Sequence, residues 1–246
     1  FMNISGSEGL VAAGNIFMGM TESPVLIKNY LPTMNRSEIF LVMVSGMGTI
    51  AGSVMGTYIG MLGGTDPAAK VLFATHLLSA SVMAVPGSIV LAKMLCPQTE
   101  EATDHVAISG KEKENSNILD AISSGTVTGV KLMTNIAAML LVFISLVALA
   151  NYITEGVIGR YTGLNDWIVK ITDGKAQGLT FQFILGVITS PFMWLIGVPS
   201  QDIMLVGSLL GQKTILNEFV AYFQLQQWKD AGLFMYEKSI LMSTYI

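Results

Sequence analysis

Three stretches of this chain, Ile39 to Met61, Val71 to Ala92 and Leu132 to Ile153, run for more than twenty residues without Asp, Glu, Lys or Arg. A helix of about 20 apolar residues crosses a hydrocarbon core about 30 Å thick. The three windows therefore predict spanning helices. None alternates apolar and polar residues as a spanning β-strand must. Only 12% of the 246 residues are charged, and the mean hydropathy is +0.60. Soluble domains carry about twice that charge, because each of their elements shows a wet face. Thirteen basic against 17 acidic residues leave a net charge of −4 and no basic stripe, so nucleic acid is excluded as a partner. Seven charges cluster between Glu100 and Glu114, which leaves the remainder poorer still.

The other apolar segments are interrupted. Leu10 to Leu31 carries Asn15, Thr21, Glu22 and Pro24. Phe181 to Val198 contains Pro191 and leads into Pro199-Ser200-Gln201-Asp202. An apolar run to Leu210 follows, then Gly211 to Glu218, then a further run to Trp228. Backbone polar groups in lipid must be satisfied internally, so such breaks survive where protein or a water-filled cavity surrounds them. Both segments are expected to form re-entrant helical hairpins. Cys96 to Asn117 reads as a solvated loop, Ile118 to Lys131 as an interfacial helix, and Glu155 to Lys175 as an interfacial segment anchored by Trp167. Thr21-Glu22 and Asn217-Glu218 echo one another, and paired broken segments in two halves point to the binding site of a secondary transporter.

A carboxylate at membrane depth costs about 2.5–3.5 kcal/mol on insertion scales, so Glu22 and Glu218 are candidates for ligand recognition or ion coupling. The alternative is a helix cap or an ion pair, with Lys213 the obvious partner for Glu218. Asn15 and Thr49 offer neutral oxygens of the kind that a hard cation such as sodium takes, alongside carbonyls of unwound backbone. Close helix packing through the small residues of Ser45 to Ser53 is the competing reading of that stretch. His76 and Cys96 read as ordinary buried or interfacial residues. The hydrolase, zinc-peptidase and P-loop motifs are missing from the sequence, so an enzyme is not expected.

Four blocks carry a resemblance. Gly14-Asn15-Ile16-Phe17-Met18-Gly19-Met20-Thr21-Glu22-Ser23-Pro24 resembles the first-hairpin motif G-N-I-F-x-G-Q-T-E-A-P of the concentrative nucleoside transporters. Thr49-Ile50-Ala51-Gly52-Ser53-Val54 is similar to that family's next span, Asn135 to Leu140 to its central span, and Gly211 to Tyr222 to its second hairpin. The resemblance implies an all-α polytopic membrane protein with two re-entrant hairpins, of the inverted-repeat, elevator-type transporter class, in the cell (inner or plasma) membrane. The chain would be the central part of a longer one. Residues 1–95 would hold the second half of the first hairpin and two transport-domain spans, and 96–117 a cytoplasmic loop. Residues 118–154 would form an interfacial helix and a scaffold span, 155–175 an interfacial segment, 176–236 the second hairpin, and 237–246 the start of the next helix.

The implied function is sodium-coupled uptake of nucleosides by alternating access in a homotrimer. Thr21, Glu22 and Val54, with Met20, would contact the nucleobase; Glu218, beside Asn217, would hold ribose hydroxyls. Sodium would be bound by the Asn15 and Thr49 side chains and the Met18 and Ile50 carbonyls. Proton coupling is the alternative within transport, and a non-transporting membrane receptor for nucleosides the alternative outside it. Met20 stands where the family usually carries an amide, and a thioether is at best a weak acceptor. Met20→Gln is therefore expected to shift the purine-to-pyrimidine preference of uptake. An unchanged preference across a nucleoside panel would remove Met20 from base selection.

Overall fold

A computed structural model describes residues 4–20, 22–100 and 117–245. Among these the regular structure is helical and without strands. They fall into two compact units, the first made of residues up to 100 with Tyr245, the second of residues 117–244. Helices Arg36–Gly63, Pro67–Leu95 and Ile118–Thr162 are long and apolar enough to cross a membrane, and they contain the three predicted windows.

In the first unit, α1 (Gly6–Gly14) starts from a capping box in which Ser5 and Glu8 satisfy each other's backbone N–H. It ends at Asn15, and a looped segment leads to the single turn of α2 (Ser23–Leu26), with Pro24 in its first turn. A second capping box, Asn35 with Glu38, opens α3 (Arg36–Gly48). Here the predicted span Ile39 to Met61 departs from a single helix. Thr49 is extended (φ −114°, ψ 156°), as is Ala51, and α4 (Gly52–Gly63) begins anew. Gly46 and Gly48 weaken the helix before the break, and β-branched Thr49 and Ile50 favour extended backbone. Helix α5 (Pro67–Leu95) starts at an Asp66 cap with Pro67 in its first turn, where the missing N–H costs nothing.

Two apolar clusters hold these helices together: Val11, Ile27, Met34 and Val42 on one side of α1, and Ala12, Leu41, Ile89 and Ala92 on the other. Beside them lies a buried ion pair. Lys93 Nζ donates to Glu8 Oε1 at 2.6 Å, to Ser37 Oγ at 3.1 Å and to Gln98 Oε1 at 3.1 Å. Ser37 Oγ in turn donates to the Cys96 carbonyl at 2.7 Å. One lysine thus ties the start of α1, the start of α3 and the end of α5.

In the second unit, α6 (Ile118–Asn151) runs on through a π-helix (Tyr152–Gly159) into α7 (Arg160–Thr162). Ile118 to Lys131, the segment expected to lie in the interface, forms the first part of α6. Helix α8 (Leu164–Ile171) follows Gly163, whose φ of 73° is a left-handed value that glycine adopts readily. Asn165 Nδ2 donates to the Glu155 carbonyl at 2.9 Å, inside the π-helix. Then come α9 (Phe181–Ile196), α10 (Ile203–Ile215), α11 (Glu218–Asp230) and α12 (Glu237–Ser243). Pro191 lies within α9 without ending it; the turn comes at Gly197, with φ 89°.

Helices α9 and α10 approach closely through glycine. A Cβ on Gly207 would lie 2.7 Å from Thr189 Oγ1, and one on Gly211 would lie 2.6 Å from Leu185 Cβ. Gly207-Ser208-Leu209-Leu210-Gly211 is the small-residue spacing that lets membrane helices touch. Asp202, fully buried before α10, accepts from Lys175 Nζ at 3.1 Å, Met235 N at 3.0 Å and Tyr236 N at 3.1 Å.

Removing one partner of a buried pair leaves the other charge uncompensated, at a cost of about 3–5 kcal/mol. Lys93→Met is expected to lower the Tm of the purified protein markedly, and Glu8→Gln combined with Lys93→Met to recover part of the loss. Equal Tm for Lys93→Met and the unaltered protein would show that the pair contributes nothing.

Candidate functional site

The break at Thr49 to Ala51 lies against the loop that follows α1. Gly52 N donates to the Phe17 carbonyl at 2.9 Å, and Ile50 N to Ser81 Oγ of α5 at 3.2 Å. These bonds replace the helical partners that the break removes. Contact is close: a Cβ on Gly52 would lie 2.7 Å from Phe17 O, one on Gly46 2.9 Å from Met20 Cβ, and one on Gly19 2.8 Å from Ala51 Cβ. Glycine at these three positions lets two interrupted segments cross with backbone against backbone.

The two side chains expected to bind a cation are each bonded to Ser45 beside this crossing. Asn15 is fully buried, and its Nδ2 donates to Ser45 Oγ at 2.8 Å. Its Oδ1 accepts from Ser23 Oγ. Thr49, also buried, donates from Oγ1 to the Ser45 carbonyl at 3.2 Å. Ser45 is therefore the residue on which Asn15 and Thr49 converge. Ile50 is buried beside them, and Met18 is half-buried with its N–H on the Gly14 carbonyl at 2.8 Å.

Helices α1 and α3 both end here, and helix C-termini carry partial negative charge that favours a cation. Among the described residues no group of three or more His, Cys, Asp or Glu gathers. The donors at the crossing are neutral oxygens, which suits a singly charged hard cation. Sequence reasoning missed Ser23, Ser45 and Ser81. The available signal was a hydroxyl within a charge-free segment, which many packing serines share.

The residues expected at the nucleobase are placed less tightly. Glu22 is the N-terminal cap residue of α2 and is exposed; Met20 is 55% exposed, and Val54, in the first turn of α4, is half-buried. Thr21 lies outside the described residues.

In the second unit Asn217 caps α11, its Oδ1 accepting from Phe219 N at 2.7 Å. Glu218 begins that helix, with Lys213 its electrostatic neighbour. Among the described residues its buried Oε1 finds no hydrogen-bond partner. A buried carboxylate oxygen left unsatisfied is costly and is ordinarily matched by a donor, so it is an acceptor available to a ligand. Asp202 and Glu8, by contrast, have their acceptor capacity taken up by lysine and backbone donors.

Comparison with known proteins places this geometry in context. The family model described as "Na+ dependent nucleoside transporter C-terminus" matches residues 76–246. An uncharacterized transporter of Haemophilus influenzae is 36% identical over 247 residues, covering 99% of this chain and 54% of that protein. Sodium/nucleoside cotransporter 2 of Rattus norvegicus is 38% identical over 234 residues, covering 94% of this chain and 32% of that protein. The solved structure of CNTnw in an inward-facing substrate-bound state is 35% identical, with a TM-score of 0.72, over 98% of this chain and 51% of that one. Substituted variants of CNTnw solved in outward-facing and intermediate states are similar to the chain as well, with TM-scores of 0.73. The chain thus spans about half the length, or less, of the relatives it matches.

Overpacking a tight contact costs about 1–3 kcal/mol. Gly52→Ala, which drives a Cβ into the Phe17 carbonyl, is expected to lower Tm, whereas Gly56→Ala, with open space around it, is expected to leave Tm unchanged or raise it. Equal Tm for the two variants would contradict the close crossing.

Proposed function

Because the chain belongs to the Na+ dependent nucleoside transporter family, we propose that it serves sodium-coupled uptake of nucleosides across the cell membrane by elevator-type alternating access, within a homotrimer. The observation that carries this reading is the crossing of two interrupted segments, with Asn15 on one and Thr49 on the other, both bonded to Ser45. Their oxygens fit sodium by chemistry: an amide, a hydroxyl and unwound backbone, without carboxylate. Asn15, Thr49 and the Met18 and Ile50 carbonyls would hold the ion. When bound, sodium supplies a positive charge where two helix C-termini meet, and so favours the crossed arrangement of the backbone.

The motifs that the chain shares with its family assign the recognition of a nucleoside to its own residues. Thr21, Glu22, Met20 and Val54 would take the base, and the Glu22 carboxylate can accept from a base N–H. Glu218 would accept from ribose hydroxyls, with Asn217 fixing the start of the helix that presents it. Hydrogen bonds to a charged acceptor contribute about 1.5–3 kcal/mol each, so one carboxylate facing a diol carries much of the affinity. Cation binding orders the backbone beside the base-binding residues and raises nucleoside affinity, and the coupling must be reciprocal.

Glu218→Gln retains the shape and removes the charge. Equilibrium nucleoside binding and uptake by the intact protein are expected to fall about tenfold or more. Binding within twofold of the unaltered protein would take Glu218 out of the site.

A further inference from the structure

The Asn15 side chain is held by two serines, one at each end of its amide. Ser45 Oγ donates its one proton to the Val42 carbonyl at 3.2 Å, so towards Asn15 it can only accept. With that proton on the Val42 carbonyl, the NH2 end of the amide faces Ser45 and Oδ1 faces Ser23. Ser23 Oγ meets that oxygen as a donor. Asn15 and Ser45 are fully buried and Ser23 is 1% exposed, so bulk water does not compete for these bonds. The bond from Ser23 also joins the start of α2 to the end of α1, closing the loop that carries Met18 and Met20.

Resting on the sodium reading above, we propose that Ser23 is a tuning residue for the cation: its buried hydroxyl competes with sodium for Asn15 Oδ1, while Ser45 keeps that oxygen presented. A proton donor and a cation draw on the same oxygen lone pairs, so each weakens the other's hold. The hydroxyl of Ser23 satisfies Oδ1 when the ion is away and holds the loop closed. Sodium has to displace or weaken that bond, and the chain requires more sodium than its ligand set alone would demand. Ser45 works in the opposite sense, since an amide freed from it can turn its NH2 group towards the ion.

The test uses the purified intact protein without nucleoside. Its Tm is measured over a sodium chloride series at constant ionic strength, balanced with choline chloride, and the sodium concentration at half-maximal stabilisation is read. Ser23→Ala is expected to lower that midpoint about two- to tenfold, the range for one competing hydrogen bond. Ser45→Ala is expected to raise it. Shifts of opposite sign separate this role from simple loss of packing, which would weaken sodium in both variants. Ser23→Cys, close in size and a poor donor, is expected to follow Ser23→Ala and serves if the alanine variant does not fold. A midpoint unchanged or raised in the Ser23 variants, with sodium still stabilising the unaltered protein, overturns this inference and leaves the sodium reading standing. Absence of any sodium effect on the unaltered protein overturns both.

Discussion

Backbone groups within a hydrocarbon layer must find partners inside the protein, and the first unit meets this constraint where its two interrupted segments cross. Helix α3 stops at Gly48 and α4 starts at Gly52, and the donors released between them go to Phe17 O and Ser81 Oγ rather than to water. Beside the break, Asn15 bonds the hydroxyl of Ser45 and Thr49 its carbonyl. The close approach rests on Gly19, Gly46 and Gly52, where any side chain would push the strands of backbone apart. The polar cluster and the glycines are thus parts of one arrangement.

The same device frames the broken segment in each unit. A buried carboxylate stands at the start of the helix that leads to the break, Glu8 for α1 and Asp202 for α10, and each takes a lysine. Each also reaches the beginning of a later helix, Glu8 through Lys93 and Ser37 to α3, Asp202 directly to the backbone before α12. Buried pairs of this kind are weak evidence for net stability, since desolvation offsets much of the attraction. What they do supply is a fixed base for a segment whose far end is broken and polar. Glu8 and Asp202 spend their oxygens on structure, whereas Glu218 keeps one unspent.

The sequence made the membrane class and the three long helices legible because charge-free windows of that length have few alternatives. Asn15, Thr49 and Glu218 stood out for the cost of a polar group in apolar surroundings, and the motifs gave them an order. Three features were not legible. The division of the span at Thr49 depends on the crossing with Phe17 and Gly19, a contact more than thirty positions away in the chain. Pro191 looked like an interruption, yet α9 passes through it and the turn falls at Gly197. Ser23 and Ser45 carried no sign of their role, because a buried serine in an apolar helix usually bonds its own backbone and does nothing more.

Sodium held by Asn15 and Thr49, as proposed, must couple to nucleoside binding. Equilibrium nucleoside affinity of the intact protein, titrated at a series of sodium concentrations with pH and ionic strength fixed, tests it most directly. Affinity is expected to rise with sodium and level off, and nucleoside to raise sodium affinity by the same factor. Nucleoside affinity that stays constant from sodium-free to saturating conditions would contradict it.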